Sequence, residues 1–378
     1  MSHIAFLIPG VDRIAGAEAQ VLLLAEALQQ RDNRITVIAM SGSGGAARER
    51  LTASGCTFLS LQMRKGWADP RGWLRLLRWL RQHQPEIVHC HLPHAIWLGR
   101  CSRLLAPRKV HLDTLHTTAT GPASHQRAFR WTAVFSDLVT AVSPAVRDSQ
   151  LNHAVTAKQP FVVLPNAVNT ARWAPSVEAR RSQRKTLGVA TADFLWFAAG
   201  RLEAVKDYPT LLHAFAALPS QARLLIAGSG PLAAPLERLI HSLELANRVQ
   251  LLGQRNDLPE LLPAADAFVQ ASLWEGMPMS LLEAGAAALP VVATNLPSIA
   301  GVVIEHETGL LAEPSEPESL AAAMLAMMQL PQAERAQMGR DARQHICENF
   351  ALDKILDRWK ALYQQSLNAH PQPRRWSS

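Results

Sequence analysis

The chain has 378 residues, 48% hydrophobic and 18% charged, with 38 Lys and Arg against 31 Asp and Glu. At about 150 residues per domain this length suggests two or three domains, and the apolar content excludes a disordered chain, while 20 Gly and 24 Pro without a period exclude collagen-like or low-complexity architecture. The formal charge of +7 fits a soluble protein kept apart by self-repulsion, a phosphate-bearing substrate or an anionic membrane surface, and without a long basic run, an RNA-binding aromatic motif or zinc-finger spacing it does not point to nucleic acid.

In chain order, Ile4–Ile8 reads as a strand, Ala17–Gln30 as a helix and Ile35–Met40 as a second strand. Pro70–Gln84 is helical, and Glu86–Cys90, Val110–Leu115, Leu138–Val142 and Val162–Leu164 continue the strand series. Short apolar runs joined by helical crossovers imply parallel sheet. The polar, Arg-rich stretch that follows has no strand signal and reads as a linker, placed at residues 169–190. The alternation then restarts with strands Phe194–Ala198, Arg223–Ala227, Val249–Leu252, Ala267–Gln270 and Val291–Ala293, and a possible edge at Leu310–Leu311. Helices Tyr208–Ala217, Leu232–Leu243, Leu258–Leu262 and Met279–Ala288 fall between them, and Pro317–Met328, Ala333–Glu348 and Ala351–Leu367 come last. The expected domains are 1–168 and 191–350, with 351–367 returning to the first and 368–378 a frayed tail.

No apolar run approaches the roughly 18 residues of a membrane span, and the N-terminus lacks the basic region of a secretory signal. The four cysteines, Cys56, Cys90, Cys101 and Cys347, form no Cys-x-x-Cys pair and read as free thiols in a reducing, cytoplasmic compartment. Two stretches fit the dinucleotide-binding glycine pattern, Gly42, Gly44, Ala47 and Gly228, Gly230, Ala233. Neither has the acidic residue expected about 20 residues on at the end of a strand, so tight turns explain them better. There is no Asp-x-Asp to hold a divalent ion on a nucleotide diphosphate, and the histidines show no zinc spacing; no metal or cofactor is expected.

The chemistry concentrates in two loops. In the run Leu273–Ala288, a loop carrying Glu275, Gly276, Met277 and Pro278 enters a helix that starts near Met279, followed by Ser280, Leu282 and Glu283. Amides at a helix start suit phosphate, and carboxylates accept bonds from ribose or sugar hydroxyls. In the other loop Gly200 permits a sharp turn, and Arg201 and Lys206 are placed to converge on a diphosphate. Solvated loop residues and an ordinary first-turn helix acid are the plainer alternatives.

Together these segments resemble glycosyltransferase family 4, the retaining GT-B sugar transferases, over nearly the whole chain. Glu275 and Glu283 match that family's Glu-x7-Glu motif, Gly200-Arg201-Leu202 with Lys206 its basic clamp, and Ile226–Pro231 its next strand and turn. Ala15-Gly16-Ala17-Glu18 resembles its N-terminal glycine turn with the first Gly replaced, Leu115-His116-Thr117 its active-site histidine segment, and Pro165-Asn166-Ala167-Val168-Asn169 its hinge with Ala and Asn substituted.

The resemblance implies two Rossmann-like parallel-sheet domains facing across a cleft, the first for a glycan or lipid-linked acceptor and the second for a nucleotide sugar. Arg201 and Lys206 would stabilise the leaving diphosphate without a metal. Glu283 would hold the ribose, Glu275 the donor sugar, and amides near Gly16 and Gly276–Met279 the phosphates. His116 would approach the sugar, its alternative being a core histidine. The other readings are a sugar-nucleotide epimerase of the same architecture and a non-catalytic nucleotide-sugar scaffold; the intact Arg201, Lys206, Glu275 and Glu283 argue against the scaffold.

Over Pro70–Arg81, Arg71, Arg75 and Arg78 form one stripe and Trp73, Leu76, Leu77 and Leu80 the opposite one, with Arg64, Lys65 and Trp67 just before. Such a helix either packs its Leu face inward or lies on anionic lipid, and exposed arginines over a packed Leu face satisfy both. Oligomeric state, donor and acceptor are not written in these patterns.

Overall fold

The structure is a computed structural model that describes residues 2–12, 14–64, 69–118, 123–152 and 160–372. The chain divides into two units, Met1–Ala167 with Asp353–Ser378, and Val168–Leu352.

In the first unit β1 (His3–Ile8), β2 (Arg34–Ala39), β3 (Thr57–Ser60), β4 (Ile87–His91), β5 (Val110–Leu115), β6 (Leu138–Ala141) and β7 (Phe161–Val163) form a sheet in the order β3-β2-β1-β4-β5-β6-β7. All neighbours are parallel, so each strand returns through a crossover. The crossovers carry α1 (Gly16–Gln29), α2 (Gly45–Ala53), α3 (Pro70–His83), α4 (Pro93–Leu105), α5 (Ala123–Thr132) and α6 (Pro144–Asn152). The sequence pattern shows only α1 and α3 of these helices, and it misses β3.

The second unit starts with α7 (Val177–Thr186), inside the stretch expected to be a linker. This is a correction: α7 buries no residue, so it has no apolar stripe to read, yet Arg180 and Arg184 both bind the Asp266 carboxylate, at 2.5 and 2.9 Å. Its strands are β8 (Phe194–Ala199), β9 (Ala222–Ala227), β10 (Val249–Gly253), β11 (Ala267–Gln270), β12 (Val291–Thr294) and β13 (Gly309–Ala312). They alternate with α8 (Tyr208–Ala216), α9 (Ala233–Ser242), α10 (Leu258–Leu261) and α11 (Met279–Ala286), and α12 (Pro317–Gln329) and α13 (Gln332–Asn349) follow. The order is β10-β9-β8-β11-β12-β13, again all parallel.

Each sheet reverses its strand order once, between β1 and β4 in the first and between β8 and β11 in the second. Ligands of open α/β sheets bind at the carboxyl ends of the strands flanking such a reversal. Both units are therefore Rossmann-like, as the sequence pattern implies, and each has one position to search for a site.

The final helix, α14 (Leu352–Ala369), belongs to the first unit and runs past Leu367; residues 373–378 of the expected tail lie outside the described residues. Trp359 and Tyr363 on α14 are buried, and the Tyr363 hydroxyl lies 2.8 Å from His89 Nδ1 on β4. A hydroxyl-to-imidazole chain continues from His89 Nε2 to Thr114 (2.6 Å) and from Thr114 to Thr140 (2.6 Å), and Thr140 donates to the Asp113 carbonyl. Every link pairs if Tyr363 donates to His89 and His89 donates to Thr114.

The opposite side chains of β5 meet α4 in a buried ion cluster. Arg100 donates to Asp113 at 2.8 Å, Arg103 pairs with Asp137 at 2.6 Å and His111 with Asp113 at 2.9 Å. Arg108 donates to His111 Nδ1. Burial would raise the Asp113 carboxyl, but Arg100 and His111 hold it well below the usual carboxylate range; burial lowers His111 to about 4 and Arg108 to about 10. Cys90, His111 and Asp113 place ligand-type atoms within 4.8 Å of one another. The His111 and Asp113 atoms already bind each other and two guanidiniums, an arrangement that repels a cation.

Candidate active site

In the second unit the two chemistry-bearing loops leave adjacent strands at the reversal. Residues 200–207 follow β8, and residues 271–278 follow β11 and lead into α11. β8 and β11 pair through Trp196 with Ala267 and Phe197 with Phe268. The Leu273 N–H donates to the Val205 carbonyl at 2.8 Å, and Lys206 Nζ donates to Glu275 Oε1 at 2.5 Å. Ser272 Oγ also donates to Glu275 Oε1 at 2.7 Å, with Gln270 Nε2 further off at 3.4 Å. All three approach Oε1, so Glu275 Oε2 has no hydrogen-bond partner among the described residues and is placed to accept from a ligand. Lys206 likewise keeps two ammonium protons for other acceptors.

Local packing explains why these loops stand where they do. Gly228 has φ +154°, and a Cβ there would overlap the Gly200 carbonyl oxygen; a Cβ on Gly230 would overlap the Leu202 backbone. The Leu202 N–H donates to the Ser229 carbonyl at 3.0 Å. The second glycine pattern therefore serves close approach of two loops. In the first pattern Gly44 N–H binds the Asp12 carboxylate at 2.7 Å, an acid where a phosphate would have to sit, so this glycine pair is a turn. A Cβ on Gly200 would press to 3.2 Å on Lys206 Cε and Tyr208 Oη, so Gly200 leaves room for the lysine stem. Burial and the Glu275 charge raise the Tyr208 phenol.

Arg201 stands apart from this group. Its side chain is 60% exposed and pairs with Glu203 Oε1 at 2.9 Å, so it and Lys206 hold different carboxylates. In α11, Ser280 Oγ donates to Gln270 Oε1 at 2.7 Å. Leu282 is fully buried and Met277 nearly so, which leaves them the main chain for contact with a ligand. Pro278 is the N-cap of α11 and Met279 its first residue. Glu283 is half-buried, its main-chain carbonyl accepts from the Ala287 N–H, and its carboxyl has no hydrogen-bond partner among the described residues. Burial raises its carboxyl to about 8, opposed by the Arg172 charge.

Two predicted residues lie in the first unit. Gly16 is the exposed first residue of α1, directly after the β1 loop, and the Ala15 N–H is held by the Glu18 carboxylate at 3.3 Å. Ala15 takes φ −117° and Ala167 has no positive φ among the described residues, so neither replacement of the family glycine strains the chain. His116 follows β5, and its Nε2 lies 2.9 Å from His91 Nδ1; burial lowers His116 to about 4. Sequence reasoning missed Gln270, Ser272, Tyr208 and His91. The His89-x-His91 alternation, which puts two imidazoles on one strand face, was the available signal for the last.

Residues 179–345 match the family "Glycosyl transferases group 1" and residues 14–172 match "Glycosyltransferase Family 4". An Escherichia coli UDP-Gal:alpha-D-GlcNAc-diphosphoundecaprenol alpha-1,3-galactosyltransferase is 28% identical over 78% of this chain and 79% of its own. The N-acetyl-alpha-D-glucosaminyl L-malate synthase of Bacillus anthracis is 26% identical over 74% of each. The GT-B fold is shared with Anabaena Alr3699/HepE, solved in complex with UDP-glucose: TM-score 0.83, 20% identity, 96% of this chain and 100% of that one. The relatives are transferases, which does not favour an epimerase. Since the two family matches fall one in each half and account for nearly all of both, the chain belongs to the group 1 / family 4 glycosyltransferases.

Proposed function

We propose that this glycosyltransferase moves a hexose, with retention and without a metal, from a nucleoside-diphosphate sugar to a lipid-linked or glycan acceptor in cell-envelope or exopolysaccharide synthesis. The observation that carries the reading is the Lys206–Glu275 pair joining the two loops at the carboxyl ends of β8 and β11. A cation for a leaving diphosphate and an acceptor for sugar hydroxyls stand side by side there.

In this reading Lys206 keeps one proton on Glu275 and turns the others to the diphosphate, with Arg201 swinging from Glu203 to join it. Charge building on the leaving group is met by fixed donors. Glu275 Oε2 binds the donor sugar, Glu283 the ribose, and main-chain amides of Gly276–Met279 and Gly16 the phosphates. His116 offers a neutral imidazole to the sugar. Attack on the donor's own face, with the departing diphosphate taking the acceptor's proton, requires no covalent intermediate. The Escherichia coli relative's name specifies UDP-Gal, a diphosphoundecaprenol acceptor and an alpha linkage, which supports a lipid-linked acceptor and retention from an alpha-linked donor.

A lipid-linked acceptor calls for a cytoplasmic enzyme resting on the membrane. No described helix is long and apolar enough to cross a membrane. On α3, Leu76, Leu77 and Leu80 are buried, Arg71, Arg75 and Arg78 are exposed, and Leu74 stands out at 63% exposure among them. Arginines with an apolar residue between them suit anionic headgroups. Lys65 and Trp67 lie outside the described residues.

The test is release of nucleotide from a panel of UDP-, GDP- and ADP-sugars in the presence of chelator, with Glu283→Ala as control. Release from one donor that disappears in the variant supports the reading and names the donor. Absence of both release and binding for every donor overturns it.

A further inference from the structure

We propose that His91 is a positioning residue that fixes the tautomer of His116, so that His116 meets its ligand as a hydrogen-bond donor through Nδ1. This rests on the assignment of His116 to the donor sugar made above.

His91 ends β4, opposite Thr114 of β5, and is fully buried. The His91 Nδ1 to His116 Nε2 distance of 2.9 Å is a hydrogen bond, and burial keeps both rings neutral. Each neutral imidazole has one N–H and one bare nitrogen, so only two arrangements exist. If His116 Nε2–H donates, the His91 proton must sit on Nε2, which is buried and has no partner. The neighbouring rings do not help: Phe6 and His89 lie at 34° and 37° to His91, closer to face-on than edge-on, so an in-plane N–H points into neither π face. If His91 Nδ1–H donates instead, its Nε2 is only a bare lone pair against those rings. Orphaned buried N–H groups are the rarer defect, so the second arrangement is favoured.

The bond that His91 makes then sets the other end of the neighbouring ring. His116 Nε2 is occupied as an acceptor, and its proton lies on Nδ1, which has no partner among the described residues. His116 can donate to a sugar oxygen, but it has no bare nitrogen with which to take the acceptor's proton. That role falls to the leaving diphosphate in the mechanism above.

The experiment is two-bond ¹H–¹⁵N correlation on the full-length protein labelled with ¹⁵N-histidine at pH 7, with the His116 signals identified by their loss in His116→Gln. The proposal expects a protonated Nδ1 and a bare Nε2 on His116. It further expects His91→Asn, whose amide NH2 stands near the place of Nδ1–H, to keep that pattern, and His91→Phe to move His116 toward the Nε2–H form. An Nε2–H tautomer in the wild-type protein overturns the proposal even if no variant folds. Equal patterns in the Asn and Phe variants also overturn it, because packing rather than the bond would then be responsible. The readout needs no donor, so turnover of UDP-glucose unchanged in His116→Gln would remove the sugar-binding role of His116 and leave the tautomer result standing.

Discussion

Lys206 and Glu275, 69 residues apart, form a 2.5 Å ion pair whose side chains are 16% and 13% exposed. The pair closes the gap between two loops that the sheet brings to one place. It also neutralises two groups that would repel parts of a ligand or be costly to leave alone so far from water.

Arg201 and Lys206 should therefore respond differently to removal. Either alanine variant is expected to lower turnover by on the order of 10²–10³. Lys206→Ala should also destabilise the chain by roughly 1–3 kcal/mol, because Glu275 loses a charge-assisted bond. Arg201→Ala should leave stability unchanged, since an exposed pair such as Arg201–Glu203 contributes little. Steady-state rates and urea midpoints of the two variants separate these effects; a twofold change in turnover for Arg201→Ala ends its role in the clamp.

If Glu283 holds the ribose as proposed, donor binding should depend on pH. Ribose hydroxyls bind best to the carboxylate, whereas burial holds the carboxyl up to about 8. Nucleotide affinity should then rise roughly tenfold per pH unit up to about pH 8 and level off above it, with up to one proton released on binding. Calorimetry in buffers of different ionisation heat reads that proton directly. Glu283→Gln should abolish both the slope and the release.

The same carboxyl affects stability with the opposite sign. A group raised from 4.5 to about 8 on folding contributes fully below the unfolded value, and that contribution is lost as pH rises to the folded value. The wild-type chain should lose ground to Glu283→Gln between about pH 4.5 and 8, with a constant gap above. Thermal melts of the two proteins across that range check it, and parallel curves would show that the carboxyl is not raised.

Asp113 is the single carboxylate shared by Arg100 and His111. Asp113→Asn leaves a fully buried guanidinium without its counter-ion, at an expected cost of about 3–5 kcal/mol. Urea unfolding followed by tryptophan fluorescence measures the loss. Nucleotide binding by the second unit should survive in whatever fraction stays folded.

Arg71, Arg75 and Arg78 give the membrane proposal its test. The wild-type protein should pellet with anionic vesicles at low salt, less so as salt rises, and not with neutral ones. Replacing all three with Glu should abolish pelleting while nucleotide binding persists. Failure of the wild-type protein to pellet with anionic vesicles at low salt removes the proposal.

Strands β1, β8 and β11 were legible in the sequence because they are buried on both faces and read as apolar runs. The Glu-x7-Glu phrase and the Gly200–Lys206 loop were legible because their chemistry needs particular residue types at short spacing. α4 was not: Arg100 and Arg103, fully buried, break its apolar stripe, and it takes Asp113 on β5 and Asp137 just before β6 to make those positions sensible. α7 escaped notice for the reverse reason, being polar all round and held by Asp266.

The local sequence by itself determined the alternation of strand and helix, the glycine turns and the residue types at the donor loops, since these depend on neighbours a few positions away. Tertiary structure decided the strand order, and with it the reversal that sets β8 beside β11. It also decided that Lys206 rather than Arg201 pairs with Glu275, that Tyr363 of the last helix bonds His89, and that His91 lies against His116. Those contacts join residues tens to hundreds of positions apart, and their distances follow from the register of parallel strands, which no local pattern specifies.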